Sequence, residues 1–184
     1  MVYATSSTFQ AWKELRRDIV PFLDNITQPY LRGNEGCGSQ TSMEVIITGH
    51  SLGGAIATLA AAEMELVNAS SRYNVSRVYT FGSPRVGNAK FATWYNNNTM
   101  SESYRVVHNK DIVPHLPFID QGYHHTRYEV FYDERFDDSR RFVVCDGSGE
   151  DDGCSDQFSI SELSITDHLR YMNITMGGSN MTVC

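Results

Sequence analysis

Val45-Ile46-Ile47-Thr48-Gly49-His50-Ser51-Leu52-Gly53-Gly54-Ala55-Ile56-Ala57-Thr58 is the stretch on which the reading of this chain turns. Its first part, within Met43–Thr48, is β-branched and apolar, as a buried parallel strand requires. Gly49-His50-Ser51-Leu52-Gly53 follows, and then a run of small residues with helical character. A serine in the tight turn between strand and helix is a nucleophile elbow. Gly53-Gly54-Ala55 at the helix start is expected to let the helix pack closely beside the strand. The pentapeptide is short, so the rest of the chain must separate a nucleophile from an incidental serine in a glycine-rich turn.

Working outward, residues 8–26 place Phe9, Trp12, Leu15, Ile19, Phe22 and Leu23 near helical spacing, with Lys13, Glu14, Arg16 and Arg17 mostly opposite. That predicts an amphipathic helix opened by Ser7 or Thr8 and kinked near Pro21. Beyond the elbow the pattern predicts a helix from about Leu52 to Val67, a polar turn at Asn68–Asn74 and a strand at Arg77–Phe81 closed by Gly82-Ser83-Pro84. A short helix over 88–96 and a strand at Tyr104–Val107 come next. Tyr128–Tyr132 and Arg140–Cys145 resemble two antiparallel strands, and a last helix is expected around Asp167–Tyr171. Strand–helix alternation followed by a hairpin implies an α/β domain, its sheet mainly parallel with an antiparallel edge. No repeat or second domain is visible, so 1–184 reads as one domain.

A net charge of -7 gives nucleic acid no basic face, and no apolar run is long enough to cross a bilayer. The N-terminus lacks the basic and apolar regions of a signal peptide. Asn-x-Ser/Thr sequons nevertheless begin at Asn25, Asn68, Asn74, Asn97, Asn173 and Asn180, an excess that suits a glycosylated, secreted protein. Four cysteines are too few and too irregularly spaced for a zinc site. Cys145 and Cys154 flank Asp146-Gly-Ser-Gly-Glu-Asp-Asp-Gly153, an acidic turn-forming loop that a disulfide could close. Secretory features without a leader imply that the chain lacks its natural N-terminus.

A serine hydroxyl needs a histidine to take its proton and a carboxylate to fix that histidine's tautomer. On the α/β-hydrolase fold these partners follow in the order Ser, Asp/Glu, His. The acid should lie just past a later parallel strand, where Asp111 stands, flanked by Ile112-Val113-Pro114. Asp120, in a loop, and Asp133, at a hairpin end, are poorer choices. Among the histidines, His108 and His115 are too close to Asp111 in sequence, and His124 and His125 precede a strand and could line a pocket. Chain order favours His168 as the base.

Four segments also carry a family resemblance: Thr48–Ala55 (TGHSLGGA), Phe81–Asn88 (FGSPRVGN), Asn109–Pro117 (NKDIVPHLP) and Asp167–Tyr171 (DHLRY). From about residue 9 onward the chain resembles the fungal class 3 lipases, that is, Rhizomucor-type triacylglycerol lipases and related feruloyl esterases. The resemblance implies Ser51 as nucleophile, Asp111 as orienting acid, His168 as general base and the Leu52 backbone N–H as an oxyanion donor. It implies a secreted serine ester hydrolase of lipid metabolism, with an acylglycerol or other ester as substrate, a lipid interface as partner and no metal or organic cofactor. It also implies the Cys145–Cys154 disulfide. A feruloyl or other carboxylesterase and a catalytically impaired remnant are the alternatives.

Members of that family have a further N-terminal region, holding the first strands, the second oxyanion donor and a helical lid. This chain is therefore read as N-terminally truncated, with that second donor absent. The expected cost is an apolar edge of unpaired N–H and C=O groups along Met43–Thr48 and a poorly folded chain. The Cys184 position resembles one whose partner lies in the missing part. A Cys37–Cys184 bond is the other option, and spacing does not decide it.

Overall fold

A computed structural model of the chain describes residues 4–31, 43–67, 73–99, 101–133 and 141–176. Helix α1 (Ser6–Leu31) leads through strand β1 (Met43–His50) to helix α2 (Leu52–Val67) and strand β2 (Tyr73–Phe81). The two-residue strand β3 (Gly87–Asn88), helix α3 (Ala89–Asn98) and strand β4 (Glu102–His108) follow. Short strands β5 (Tyr123–His124), β6 (Glu129–Tyr132) and β7 (Val143–Val144) precede the helical turn α4 (Ile165–His168) and a small hairpin of β8 (Arg170–Tyr171) and β9 (Ile174–Thr175).

The central sheet has the order β1-β2-β4-β6-β7, parallel throughout except for the antiparallel β6–β7 pair. This is the expected parallel sheet with an antiparallel edge. Because β1, β2 and β4 run the same way, Ser51, Gly82 and Asp111 all emerge at one end of the sheet. In open α/β sheets that end forms the ligand crevice.

The main core lies between the sheet and helices α1 and α2. Ala55, Ala60, Ala61 and Ala62 bring α2 close to the strands, with Val75 and Val78 beneath and Trp12 of α1 above. Trp12 is buried and satisfies its indole by donating to Glu63 at 2.8 Å. The first helix is longer than its periodicity predicts. It begins at Ser6 and continues past Pro21 to Leu31 instead of spanning 8–26. Near that end Thr27, fully buried, returns its hydroxyl to the Leu23 carbonyl at 2.9 Å.

Three other expectations are corrected. β1 is not buried on both faces: Val45 and Ile47 pack on the core, whereas Ile46 is 55% exposed. Among the described residues β1 is the end strand of the sheet, paired with β2 alone. Tyr73 and Asn74, read as turn, belong to β2, because pairing with Met43 and Glu44 recruits them into the ladder. The last helix covers Ile165–His168, and Arg170 and Tyr171 turn into a hairpin instead.

The Cys145–Cys154 disulfide is formed and packs against Val107, Phe131 and Phe158. Sequon residues Asn25, Asn74, Asn97 and Asn173 are all exposed. Asn68, Asn180, Cys37 and Cys184 lie outside the described residues.

Candidate active site

The elbow forms because the glycine at position 49 permits it. Ser51 sits at φ 57°, a left-handed backbone conformation unusual for a side-chain-bearing residue. A Cβ on Gly49 would come 2.2 Å from the Gly53 carbonyl oxygen, so the turn closes only with glycine there. The Leu52 N–H lies at the first position of α2, where no carbonyl four residues earlier belongs to the helix.

His168 and Asp111 are brought together by a latch between two loops. Ser164 caps α4, accepting from the amides of Thr166 at 3.1 Å and Asp167 at 3.3 Å. The same Ser164 donates its backbone N–H to the Lys110 carbonyl at 2.7 Å and accepts from Ile112 N at 3.3 Å. Asp167 adds two bonds, accepting from Asn109 Nδ2 at 2.8 Å and Lys110 N at 3.1 Å. The turn bearing the histidine is thereby docked on both sides of the loop bearing the aspartate.

The resulting geometry is continuous. His168 Nε2 is 2.8 Å from Ser51 Oγ, and His168 Nδ1 is 2.9 Å from Asp111 Oδ2. A carboxylate only accepts, so Nδ1 carries the proton and Nε2 is left to accept from the Ser51 hydroxyl. Asp111 is fully buried and His168 is 5% exposed. The other aspartate candidates fall elsewhere: Asp120 is exposed in its loop, and Asp133 is buried just past β6. His108 and His115 are buried, bonded to the carbonyls of Asp167 and Asp111 respectively. His124 is half-buried and His125 bonds the Pro114 carbonyl.

Three neighbours of the site escaped the sequence reading. Tyr171 donates its hydroxyl to Asp111 Oδ2 at 2.5 Å and accepts from His108 N at 3.3 Å. Burial first, and the Asp111 charge second, push its pKa well above the ordinary tyrosine value, so it remains a donor. With Val113 N on Oδ1 at 2.8 Å, the buried carboxylate has three donors. His50 stacks on His168 with ring centroids 4.5 Å apart and donates Nε2–H to the His168 carbonyl at 2.9 Å. Burial is the main reason its pKa is lowered, which disfavours a positive charge stacked on the His168 ring. Gly82, at φ 56°, leaves room where a Cβ would sit 2.6 Å from Asp111 Oδ2 and 3.0 Å from His168 Nδ1. The signal for Tyr171 was its position three residues after His168; for Gly82 it was a glycine immediately beyond the strand next to the elbow strand.

Replacing Tyr171 with phenylalanine removes one of those donors without opening a cavity. The expected loss is about 1.5–3 kcal/mol of stability, as for a hydrogen bond to a charged group, read by denaturant unfolding. A roughly tenfold fall in the reactivity of Ser51 should accompany it, because Asp111 is held less firmly.

Only one cluster of metal-type donors occurs among the described residues, Glu129 with Cys145 and Cys154. Both sulfurs are in the disulfide and Glu129 is paired with Arg105 at 3.1 Å, so the cluster is not a ligand set.

Sequence and structure comparisons agree with this architecture. Residues 2–121, which include Ser51 and Asp111, match the family Lipase (class 3). A lipase of Caenorhabditis elegans is 32% identical over 178 residues, covering 80% of this chain and 49% of that protein. A secreted mono- and diacylglycerol lipase of Fusarium solani is 44% identical over 110 residues, covering 58% of this chain and 31% of its own length. The crystal structure of the lipase from Rhizopus microsporus var. chinensis superposes with a TM-score of 0.77 at 30% identity, over 96% of this chain and 56% of that one. The chain thus spans half or less of the curated relatives it matches. Sharing both their sequence pattern and their α/β-hydrolase fold, the chain belongs to the class 3 lipase family.

Proposed function

We propose that this chain is the catalytic portion of a secreted serine ester hydrolase acting on acylglycerols, with Ser51 as nucleophile, His168 as general base and Asp111 as orienting acid. The observation that carries the reading is the unbroken Ser51–His168–Asp111 chain of 2.8 and 2.9 Å contacts at the strand ends. In this mechanism His168 takes the Ser51 proton as Oγ attacks the ester carbonyl. The Leu52 N–H donates to the oxyanion, and the imidazolium then protonates the leaving alcohol. Water, activated by the same histidine, releases the acid from the acyl-enzyme.

A lipid-facing rim is consistent with Leu52, Ile165 and Leu169, which neighbour Ser51 and His168 in the chain and are 50%, 59% and 46% exposed. A relative named as a mono- and diacylglycerol lipase supports the substrate class. That relative's description as secreted, the disulfide and the four exposed sequon asparagines support secretion. No helix among the described residues is long and apolar enough to cross a membrane.

The test is labelling of the purified chain by a fluorophosphonate probe, with Ser51→Ala as control, followed by hydrolysis of mono-, di- and triacylglycerols beside a feruloyl ester. Labelling lost in Ser51→Ala, with acylglycerols turned over fastest, is the expected result. A folded chain that resists labelling would sink the hydrolase reading, and a preference for the feruloyl ester would replace the substrate class.

A further inference from the structure

Behind the Asp111 loop lies a buried ionic cluster that the proposed reaction does not use. It joins Arg85 after β2, Arg105 of β4 and Glu129 of β6 to Glu150 and Asp156 around the disulfide. Arg85 contacts Glu150 at 2.6 Å and Asp156 at 3.6 Å, and Arg105 contacts Glu129 at 3.1 Å. Two guanidinium groups therefore face three carboxylates, and the cluster lacks one positive charge if every imidazole beside it is neutral. His124, one-third exposed with Nδ1 3.7 Å from Glu150, stands at its rim. Asp120 and Asp152 line the same cleft of about 450 Å³ and add no cation.

The position of His115 answers that deficit. Its ring is buried, with Nδ1 3.0 Å from the Asp111 carbonyl oxygen and Nε2 3.2 Å from the Ser155 carbonyl oxygen. Carbonyl oxygens have no proton to give, so a neutral imidazole satisfies only one of them and sets a lone pair against the other. A ring protonated on both nitrogens donates to both, and Asp156 Oδ1 lies 3.5 Å from Nε2. His125 is a poor holder of the extra proton: burial first, then Arg105 and Arg85, keep its pKa well below the ordinary histidine value. Asp156 is the competing holder, since burial and then Glu150 push its carboxyl up to about 7 while Arg85 opposes the rise. A positive charge on the neighbouring ring, 3.5 Å from Asp156 Oδ1, would oppose that rise as well.

We propose that His115 is a positioning residue for the triad: a doubly protonated ring, with Asp156 as counter-ion, that ties the Asp111 backbone to the disulfide-closed segment at Ser155. This rests on Asp111 being the acid that orients His168. The tie reaches the reacting atoms through one residue, since the Asp111 carbonyl accepts from His115 while its carboxylate holds His168.

The deciding measurement is the nitrogen NMR spectrum of the His115 ring in the ¹⁵N-labelled full chain at pH 7, assigned through its own backbone correlations. Two protonated-type ring nitrogens are expected, and one bare nitrogen would overturn the proposal. In Asp156→Asn the ring should lose its second proton at the same pH. Fluorophosphonate labelling of Ser51 should then slow roughly tenfold, as for a small displacement of a catalytic group, with the acidic limb of its pH profile displaced. An Asp156→Asn protein with an unchanged ring spectrum or labelling profile would also overturn it. Failure of the unmodified chain to label at all would count against the ester-hydrolase reading, and the ring spectrum would still decide the state of His115.

Discussion

His168→Ala is expected to slow acylation of Ser51 by about 10⁶-fold, the scale seen when the base of a serine triad is removed. The size follows from the chemistry, since a neutral hydroxyl is almost unreactive toward an ester at pH 7 and, among the described residues, Nε2, 2.8 Å from Oγ, is placed to take its proton. The Leu52 amide, which the proposal assigns to the oxyanion, stays in place, so a low residual rate above water should remain. The protein should stay folded: Asp111 would keep Tyr171 and Val113 N as donors after losing the imidazole. Fluorophosphonate labelling followed by mass spectrometry, alongside a thermal melt, measures both halves. A variant that labels within tenfold of the unmodified chain would show that another group activates Ser51.

Gly82→Ala should lower activity by a hundredfold or more at a modest cost in stability. At φ 56° an alanine costs about 1–2 kcal/mol relative to glycine, because its Cβ approaches the following carbonyl. For a chain of this size that corresponds to a fall of about 2–8 °C in Tm. The added methyl would also sit 2.6 Å from Asp111 Oδ2, 2.8 Å from the Tyr171 hydroxyl and 3.0 Å from His168 Nδ1. Asp111 Oδ2 accepts from both of the other atoms, so something in this hydrogen-bonded group must move. A displacement of about 1 Å at a catalytic group costs roughly a hundredfold. The expected outcome is a folded protein with a normal circular dichroism spectrum and labelling slowed a hundredfold or more. Labelling at the unmodified rate would mean that the His168–Asp111 contact is not needed for reactivity.

Much of this was legible along the chain because the signals were local. The elbow was readable since strand, turn and helix follow within fourteen residues, each with its own composition. Strand–helix alternation announced a parallel sheet, and Asp111 could be picked as the residue just past β4. His168 was weaker, resting on chain order and family resemblance, because a lone histidine after a polar stretch has no periodicity to mark it. The expectation of a buried β1 failed for a related reason. An apolar, β-branched run reports that a strand can be covered on both faces, not that it is, and Ile46 remains 55% exposed. The end of α4 was misplaced because four helical residues leave too short a pattern to distinguish helix from turn.

By itself the sequence determined the fold class and the serine in its strand–turn–helix elbow, since each is set by composition within a few residues. Only the tertiary structure decided which groups hold Asp111 and His168 in register. Tyr171, Gly82 and Asp167 are ordinary residues in sequence, and they matter because separate loops bring them to one point at the strand ends. His115 bridges the carbonyls of Asp111 and Ser155, residues 44 positions apart. Hydrogen bonds and close contacts of that kind depend on distance in space, which local composition does not encode.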